Sequence, residues 1–307
     1  MIALNAKKIV RIIEKDYQLY LMLLPAIVGF IIFHYIPIIN SLLIGFVKYD
    51  ILNGFWGSKW VGFKYFNQFF SDIYFFRLIR NTFLLGFFGL IWGTPPPIIL
   101  ALLFNEIRNR HFKKITQSIS YLPHFISTVV IIGILNTIFG YDGIVNFLLA
   151  KFGFEPVGFI SFTKWFRTLY IGSSIWQSVG WGAILYIASL NGVDVELYDA
   201  AVIDGAGRWH KNVHINLPAI APTFIILLIL NVGSIINVGF EKVYLMYSPP
   251  IYEVADVIST YVYRRGIQDM DYGYAGAVSL FNSAVSIVLL VTSNFVCRKT
   301  TEGSSLW

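Results

Sequence analysis

Cysteine and charged residues are both scarce in this sequence. The chain has 1 cysteine in 307 residues, so it can form no internal disulfide, and a disulfide-stapled secreted fold is excluded. Only 13% of its residues are Asp, Glu, Lys or Arg, about half of the share that is usual for soluble domains. Hydrophobic residues make up 56% of the chain. A soluble enzyme or a nucleic-acid binder of this size needs more surface charge, so we expect a lipid bilayer to surround the protein.

Motifs of catalytic chemistry are also missing. The sequence contains no HExxH, CxxC, GxSxG or Walker P-loop pattern, and its 5 histidines are scattered. The acidic residues lie almost entirely outside the apolar runs, whereas a proton-coupled carrier needs such groups within the membrane. We therefore expect no catalytic site, no metal site and no cofactor in this chain. A stand-alone secondary carrier is the weaker alternative for the same reason.

What the sequence does contain is six long runs without a charged residue. Each run is at least 25 residues long, and a helix needs about 20 apolar residues to cross about 30 Å of hydrocarbon. The runs are 17–47, 81–105, 115–141, 168–193, 212–240 and 272–297. Helices satisfy all of their backbone polar groups within lipid, and none of the runs alternates as a barrel strand does. We predict an all-α polytopic membrane protein with six transmembrane helices.

The runs divide the chain into three regions. Residues 1–16 mix apolar and basic side chains and predict a cytoplasmic or interfacial segment, residues 17–297 form the transmembrane domain, and 298–307 form a cytoplasmic tail. An even number of spans places both termini on one side, and a weak excess of Lys and Arg favours the cytoplasm. Basic residues that meet anionic lipid explain the net charge of +6, so no nucleic-acid partner is predicted.

The segment between the fourth and fifth runs, residues 191–218, has a pattern of its own. Asp194 is a favourable N-cap and Glu196 adds negative charge to the first turn, which predicts a short helix over about 195–204. We expect Gly205 and Gly207 to end this helix.

Small residues share one face of that short helix. Ala201 and Gly205 lie four residues apart, and Ala200 widens the face. A face without bulky side chains allows another protein to approach closely. The alternative is an ordinary loop helix that rests on its own bundle.

The same segment resembles the loop motif of the inner-membrane permease subunits of ABC importers. That motif is Glu-Ala-Ala, three residues, Gly, nine residues, and then Ile-x-Leu-Pro. The matching residues here are Asp199, Ala200, Ala201, Gly205, Ile215, Leu217 and Pro218. Every spacing agrees, and the one departure is Asp199 in place of Glu. The resemblance implies that the loop helix is a coupling helix, which docks in a cleft of an ATPase subunit.

Further segments resemble the sugar-uptake branch of this family, and most of all its oligosaccharide and polysaccharide permeases, which include the alginate importer. They are residues 20–25, 121–124, 176–181 and 256–263. The resemblance implies a bacterial inner-membrane subunit that forms half of the translocation path for a sugar polymer or oligosaccharide. It also implies three kinds of partner: a second permease subunit, two ATPase subunits that hold ATP and Mg, and an extracytoplasmic solute-binding protein. An importer of amino acids or peptides is the alternative.

Polar side chains within three of the runs predict a water-accessible path through the helical bundle. In each run they fall on one helical face, and polar residues within a membrane face the bundle or water rather than lipid. The candidates are Gln177 in the fourth run, Asn231, Ser234 and Asn237 in the fifth, and Asn282 and Ser286 in the sixth. Hydroxyl and amide groups beside aromatic rings suit sugars, whose rings have apolar faces and hydroxyl edges. Hydrogen bonds between helices are the alternative.

Overall fold

The computed structural model describes residues 15–300 and Leu306. The predicted interfacial segment 1–16 and the predicted tail 298–307 therefore lie mostly outside the described residues. Within those residues helices dominate, and the only two strands, β1 (Val47–Asp50) and β2 (Gly54–Trp60), form an antiparallel pair. The predicted helical class is confirmed.

Sixteen α-helices follow one another in the described part of the chain. They are α1 (Tyr17–Phe30), α2 (Ile36–Ile44), α3 (Lys64–Phe70), α4 (Phe75–Gly93), α5 (Pro95–Glu106), α6 (Arg110–Tyr121), α7 (Thr128–Phe139), α8 (Ile144–Lys151), α9 (Thr163–Asn191), α10 (Val195–Ile203), α11 (Arg208–Lys211), α12 (Leu217–Gly233), α13 (Phe240–Met246), α14 (Tyr252–Ala255), α15 (Ile258–Tyr263) and α16 (Tyr272–Thr300). Turns of π-helix cover Ile31–Tyr35, Asn212–Asn216 and Arg264–Gln268, and 3₁₀ turns cover Leu122–Phe125 and Pro249–Ile251.

Five helical stretches are long and apolar enough to cross a membrane. They are Tyr17–Ile44, Phe75–Glu106, Thr128–Lys151, Arg208–Gly233 and Tyr272–Thr300. The predicted fourth run forms α9, which has 29 residues and is also long enough to cross, but it carries more polar side chains. The protein is a multi-pass membrane protein, and the count of six spans stays a prediction.

The third predicted run, 115–141, does not form one helix. α6 ends at Tyr121, Pro123 lies in the 3₁₀ turn that follows, and the Ser127 hydroxyl accepts a hydrogen bond from the Val130 backbone N–H to start α7. Pro123 has no backbone N–H to give to a continuous helix, and serine is a preferred N-cap. The prediction of a single span over 115–141 was wrong for this reason.

The described residues cluster into two compact units. One contains the residues up to Phe70 together with Arg265–Leu280, and the other contains Ser71–Arg264 together with the residues from Phe281 onward. In the first unit, Tyr274 at the start of α16 is fully buried, with edge-to-face ring contacts to Tyr65 and Phe69 of α3.

The second unit is built on α9. One buried cluster joins this helix to α4 and α13, and Leu85, Phe166 and Val243 are among its members. Another joins α9 to α5 and α12 through Ala101, Tyr186 and Ile220, among others. Because both clusters pack on the same 29-residue helix, α9 fixes the position of the surrounding helices and of any space left between them.

Candidate translocation cavity and coupling loop

A cavity of about 650 Å³ lies within the second unit. Side chains of α4, α5, α9 and α12 line it, together with the segment between α12 and α13. Its polar lining residues include Ser174 and Ser178 of α9, and Asn231, Ser234 and Asn237 at and after the end of α12. The indole of Trp181 and the glycines of α4 complete these walls. An apolar wall with a few convergent polar groups is typical of a small-molecule site.

Three of the six predicted path residues line this cavity directly. They are Asn231, Ser234 and Asn237, and all three are exposed. Asn282 and Ser286 of α16 contact the same group: Asn282 Nδ2 donates to Asn237 Oδ1 at 2.8 Å, and Asn237 Nδ2 donates to Ser286 Oγ at 3.4 Å. The structure therefore brings five of the six predicted residues together.

Gln177 is the exception among the predicted path residues. Its Nε2 donates a hydrogen bond of 3.1 Å to the carbonyl of Ile126, just before α7, and it is not among the cavity-lining residues. In this position Gln177 braces α9 against the turn that precedes α7. Ser178, the next residue along α9, lies at the cavity instead.

Sequence reasoning missed Lys242. This lysine lies on α13, beyond the membrane-spanning stretch that ends at Gly233, and it is only 8% exposed. Its Nζ donates a hydrogen bond of 2.8 Å to Ser174 Oγ and lies 5.5 Å from the centroid of the Tyr170 ring. Burial lowers the pKa of Lys242 to about 8 because the charged form loses its hydration. The one sequence signal was its place directly after Glu241, the first charge past the fifth run.

A buried polar network fixes the segment that follows α13 to α4. Asp256 is fully buried and accepts hydrogen bonds from Arg264 at 2.7 Å, from Thr260 at 2.9 Å and from Arg77 of α4 at 3.4 Å. The amide of Asn81, also on α4, donates to the carbonyls of Glu253 and Asp256. Residues 256–263, which resemble the sugar-uptake branch of the permease family, thus hold this segment against α4 through hydrogen bonds and ion pairs.

The loop helix predicted over about 195–204 is present as α10, Val195–Ile203. Asp194 Oδ1 accepts a hydrogen bond of 3.0 Å from the Glu196 backbone N–H, which is the predicted N-cap. Gly205 ends the helix with φ of +72°, and the Ala206 N–H donates to the Ala201 carbonyl at 2.8 Å. This is the Schellman arrangement, which favours glycine because the backbone is left-handed there.

One of the expected roles in this loop needs correction. Gly207 has φ of −70° and precedes α11, so it starts the next helix rather than ending α10. On the predicted small-residue face, Ala201 is half-buried and Gly205 is exposed. Asp199 and Ala200 are exposed as well.

The loop also exposes large apolar side chains. Large side chains there are more than half exposed, and Ile203 reaches 85% exposure. They are Leu197, Val202, Ile203 and Trp209. Of the remaining motif residues, Ile215 is half-buried, and Leu217 and Pro218 at the start of α12 are exposed. An apolar patch that a loop leaves open to water is typical of a protein–protein contact.

Hydrogen bonds tether the loop to two neighbouring helices. The Tyr198 hydroxyl donates to Asn216 Oδ1 at 2.5 Å, and Asn216 Nδ2 donates to Asn212 Oδ1 at 2.7 Å. Asn212 in turn donates to Glu106 at the end of α5, at 3.4 Å. Arg208 lies 3.7 Å from the same carboxylate. The loop therefore connects to the helix that enters α12 and to α5.

These features define a multi-pass membrane protein with a cavity between its helices and an exposed loop helix. Residues 76–298 match the family described as "Binding-protein-dependent transport system inner membrane component". The chain belongs to this family, as the loop motif predicts. The matched residues cover most of the second unit. They include every residue that lines the cavity and the whole loop 191–218.

Relatives of known name cover nearly the whole chain. Protein LplB of Bacillus subtilis (strain 168) is 45% identical over 94% of this chain and 90% of its own length. The polygalacturonan/rhamnogalacturonan transport system permease protein YteP of the same organism is 40% identical over 95% of this chain and 90% of its own length. A chain of a bacterial ABC transporter involved in the import of the acidic polysaccharide alginate superposes with a TM-score of 0.87 at 39% identity, over 96% of this chain and 99% of that chain.

Proposed function

We propose that this chain forms half of the translocation path for a sugar polymer or oligosaccharide in an ATP-driven importer. The observation that carries the proposal is the cavity that Ser174, Trp181, Asn231 and Asn237 line within one compact unit. Amide and hydroxyl groups can exchange hydrogen bonds with sugar hydroxyls, and an indole can pack on the apolar face of a sugar ring. Relatives at 39–40% identity that transport polygalacturonan, rhamnogalacturonan or alginate support this substrate class.

The proposal includes the partners that such a path needs. Asn231, Ser234 and Asn237 are exposed along one side of the cavity, and we propose that a second permease subunit covers them and supplies the other half. A related transporter forms a complex with a periplasmic protein that holds an alginate pentasaccharide, which supports delivery by a solute-binding protein. Two ATPase subunits would supply ATP and Mg, and this chain itself would contribute no catalytic group.

The coupling loop is proposed as the surface that meets an ATPase subunit. Leu197, Ile203 and Trp209 would fill an apolar cleft, while Asp199 and Ala200 would contact its rim. The tether from Tyr198 through Asn216 leads to α12, and the far end of α12 carries Asn231 at the cavity. A movement of the ATPase subunit can be transmitted along α12 to the cavity.

Replacement of the cavity amides tests the path. Asn231→Leu and Asn237→Leu should each lower sugar uptake by about fivefold, because each removes hydrogen-bonding capacity worth about 1 kcal/mol. Uptake is measured in vesicles that contain the complete transporter, and assembly is measured by co-purification. Asn136→Leu is the matched control, because Asn136 is exposed on α7 away from the cavity lining. Disassembly of both cavity variants, with Asn136→Leu intact, would favour a purely structural role.

Single cysteines test the proposed orientation. Glu155 lies between the third and fourth charge-free runs, a segment that is external if both termini are cytoplasmic. Asp204 lies in the coupling loop, and both residues are exposed. In a Cys297→Ser background, Glu155→Cys should react with an impermeant maleimide added outside intact cells, and Asp204→Cys should react only after the membrane is opened. Labelling of Asp204→Cys from outside would contradict a cytoplasmic loop.

A further inference from the structure

Lys242 is a buried cation without a carboxylate partner. It is 8% exposed, and it takes part in none of the ion pairs among the described residues. Its neighbour in sequence, Glu241, is exposed. A buried ammonium group loses favourable hydration, and a hydroxyl partner replaces only part of it. The site therefore has an unmatched positive charge.

That charge lies directly behind the cavity wall. Both groups that contact the ammonium, the Ser174 hydroxyl and the Tyr170 ring, line the cavity. The ammonium has three donor hydrogens, and Ser174 Oγ takes one of them. Lys242 itself does not line the cavity, so its flexible side chain must rotate past these two groups to offer the other hydrogens to a ligand.

A second cation lies on the same face of α9. Arg167 precedes Tyr170 by three residues and Ser174 by seven, a spacing that places the three side chains on one helical stripe. Its Nη2 donates only a long hydrogen bond, 3.4 Å, to Asn81 Oδ1, and its buried Nε has no hydrogen-bond partner among the described residues. Like Lys242, it forms no ion pair with a described carboxylate.

We propose, on the basis of the function proposed above, that Lys242 is a specificity-determining residue that selects acidic oligosaccharides. A sugar carboxylate in the cavity would accept a charge-assisted hydrogen bond from the ammonium, with Arg167 adding to the positive potential on the same stripe. Neutral sugars need only uncharged donors, which Asn231 and Ser234 already supply. A carboxylate, in contrast, forms roughly twice as strong a hydrogen bond with a cation as with a neutral donor.

The test compares one acidic and one neutral sugar of the same size. The probes are trigalacturonate and the trisaccharide obtained by reduction of its carboxyl groups, and the readout is the ratio of their uptake rates by the complete transporter in vesicles. The binding protein is the same in every preparation, so its own preference cancels when a variant is compared with the wild type. Lys242→Met should lower the acidic-to-neutral ratio by about tenfold or more. Lys242→Arg should retain most of it, and Lys164→Met, at an exposed lysine of α9, should leave it unchanged.

A pH series on the wild type supplies a test that needs no variant. Burial lowers the pKa of Lys242 to about 8, so the ammonium is charged below that pH and neutral above it. The sugar carboxylates stay ionised over this range. Other ionisable side chains on the helices packed against α13 could also affect the titration of Lys242. They include Arg167 and Tyr170 on α9, and Tyr261 and Tyr263 on α15, whereas α7 has no ionisable side chain. The ratio should fall as pH rises through about 8, or slightly higher, because a bound carboxylate stabilises the ammonium.

The outcomes separate this inference from the proposed function. Uptake of either sugar by the wild type, with a ratio that neither Lys242→Met nor pH changes, would overturn the inference and leave the proposed function standing. Uptake of neither sugar, by a transporter that contains all of its partners, would overturn the proposed function for this sugar class and the inference with it.

Discussion

Tyr198 on the loop helix α10 is joined to Asn216, directly before α12, by a hydrogen bond of 2.5 Å. Asn216 is 1% exposed, so its side-chain amide has little access to water. The bond is therefore a specific connection between an exposed loop helix and a helix that ends at the cavity. A motion of α10 can be transmitted to α12 through it.

Removal of this hydroxyl should loosen the connection. Tyr198→Phe leaves the buried Asn216 Oδ1 without its donor, which we expect to cost about 1–3 kcal/mol of folding free energy and to reduce the number of sugars imported per ATP hydrolysed. Both quantities are measured on the reconstituted transporter, by thermal unfolding and by parallel uptake and ATPase assays. Tyr141→Phe, at a tyrosine that is 66% exposed, is the control. An unchanged ratio of sugar to ATP in Tyr198→Phe would show that this bond does not carry the coupling.

The two loop glycines should respond differently to alanine. Gly205 has φ of +72° and Gly207 has φ of −70°, and a Cβ at either position would meet no described residue within 4 Å other than its direct neighbours in sequence. Gly205→Ala should therefore cost about 1 kcal/mol through backbone strain alone, and Gly205→Asn less, because asparagine tolerates the left-handed region. Gly207→Ala should be nearly neutral. Thermal unfolding and uptake assays measure the difference, and equal losses in both alanine variants would point to a clash with the docked partner instead.

Much of the fold could be predicted because short stretches of sequence determine where a helix can begin and end and which segments carry no charge. The loop helix followed from an aspartate that can cap it and a glycine that can end it. The helical stretches followed from the absence of charge. A run without charged residues indicates that a segment lies in lipid, but it does not show that the segment is one continuous helix. The break between Tyr121 and Thr128 was missed for this reason.

The cavity was predicted less completely because long-range packing decides which polar residues share a space. Gln177 and Ser178 are neighbours on α9, and only the position of Ile126 determines that the glutamine serves as a brace. Lys242 lies past the end of an apolar run, where a lysine is usually a solvated flanking residue. Its burial depends on α9, 68 residues away in sequence, which no local pattern reports.

Close packing of α4 should make one of its glycines intolerant of a methyl group. A Cβ on Gly86 would lie 1.8 Å from the carbonyl oxygen of Ile235, whereas a Cβ on Gly89 would meet nothing within 4 Å. Gly86→Ala should destabilise the protein by about 1–3 kcal/mol, because the backbone beside the cavity must shift. Gly89→Ala should stabilise it by up to about 1 kcal/mol through helix propensity. Thermal unfolding in detergent compares the two variants, and a loss of similar size in both would contradict the close approach.

The carboxylate of Asp256 should be among the most sensitive positions outside the cavity. It is fully buried and pairs with both Arg264 and Arg77, which in turn attach the segment after α13 to α4. Asp256→Asn leaves two partly buried guanidinium groups without their counter-charge, and we expect a loss of about 3–5 kcal/mol, as for other broken buried ion pairs. Asp269→Asn is the matched control, because that carboxylate is 49% exposed and pairs with Arg265, four residues earlier in sequence. Such an exposed pair contributes about 0.2–1 kcal/mol. Thermal unfolding midpoints measure both variants, and equal shifts would show that the Asp256 network does not hold this segment in place.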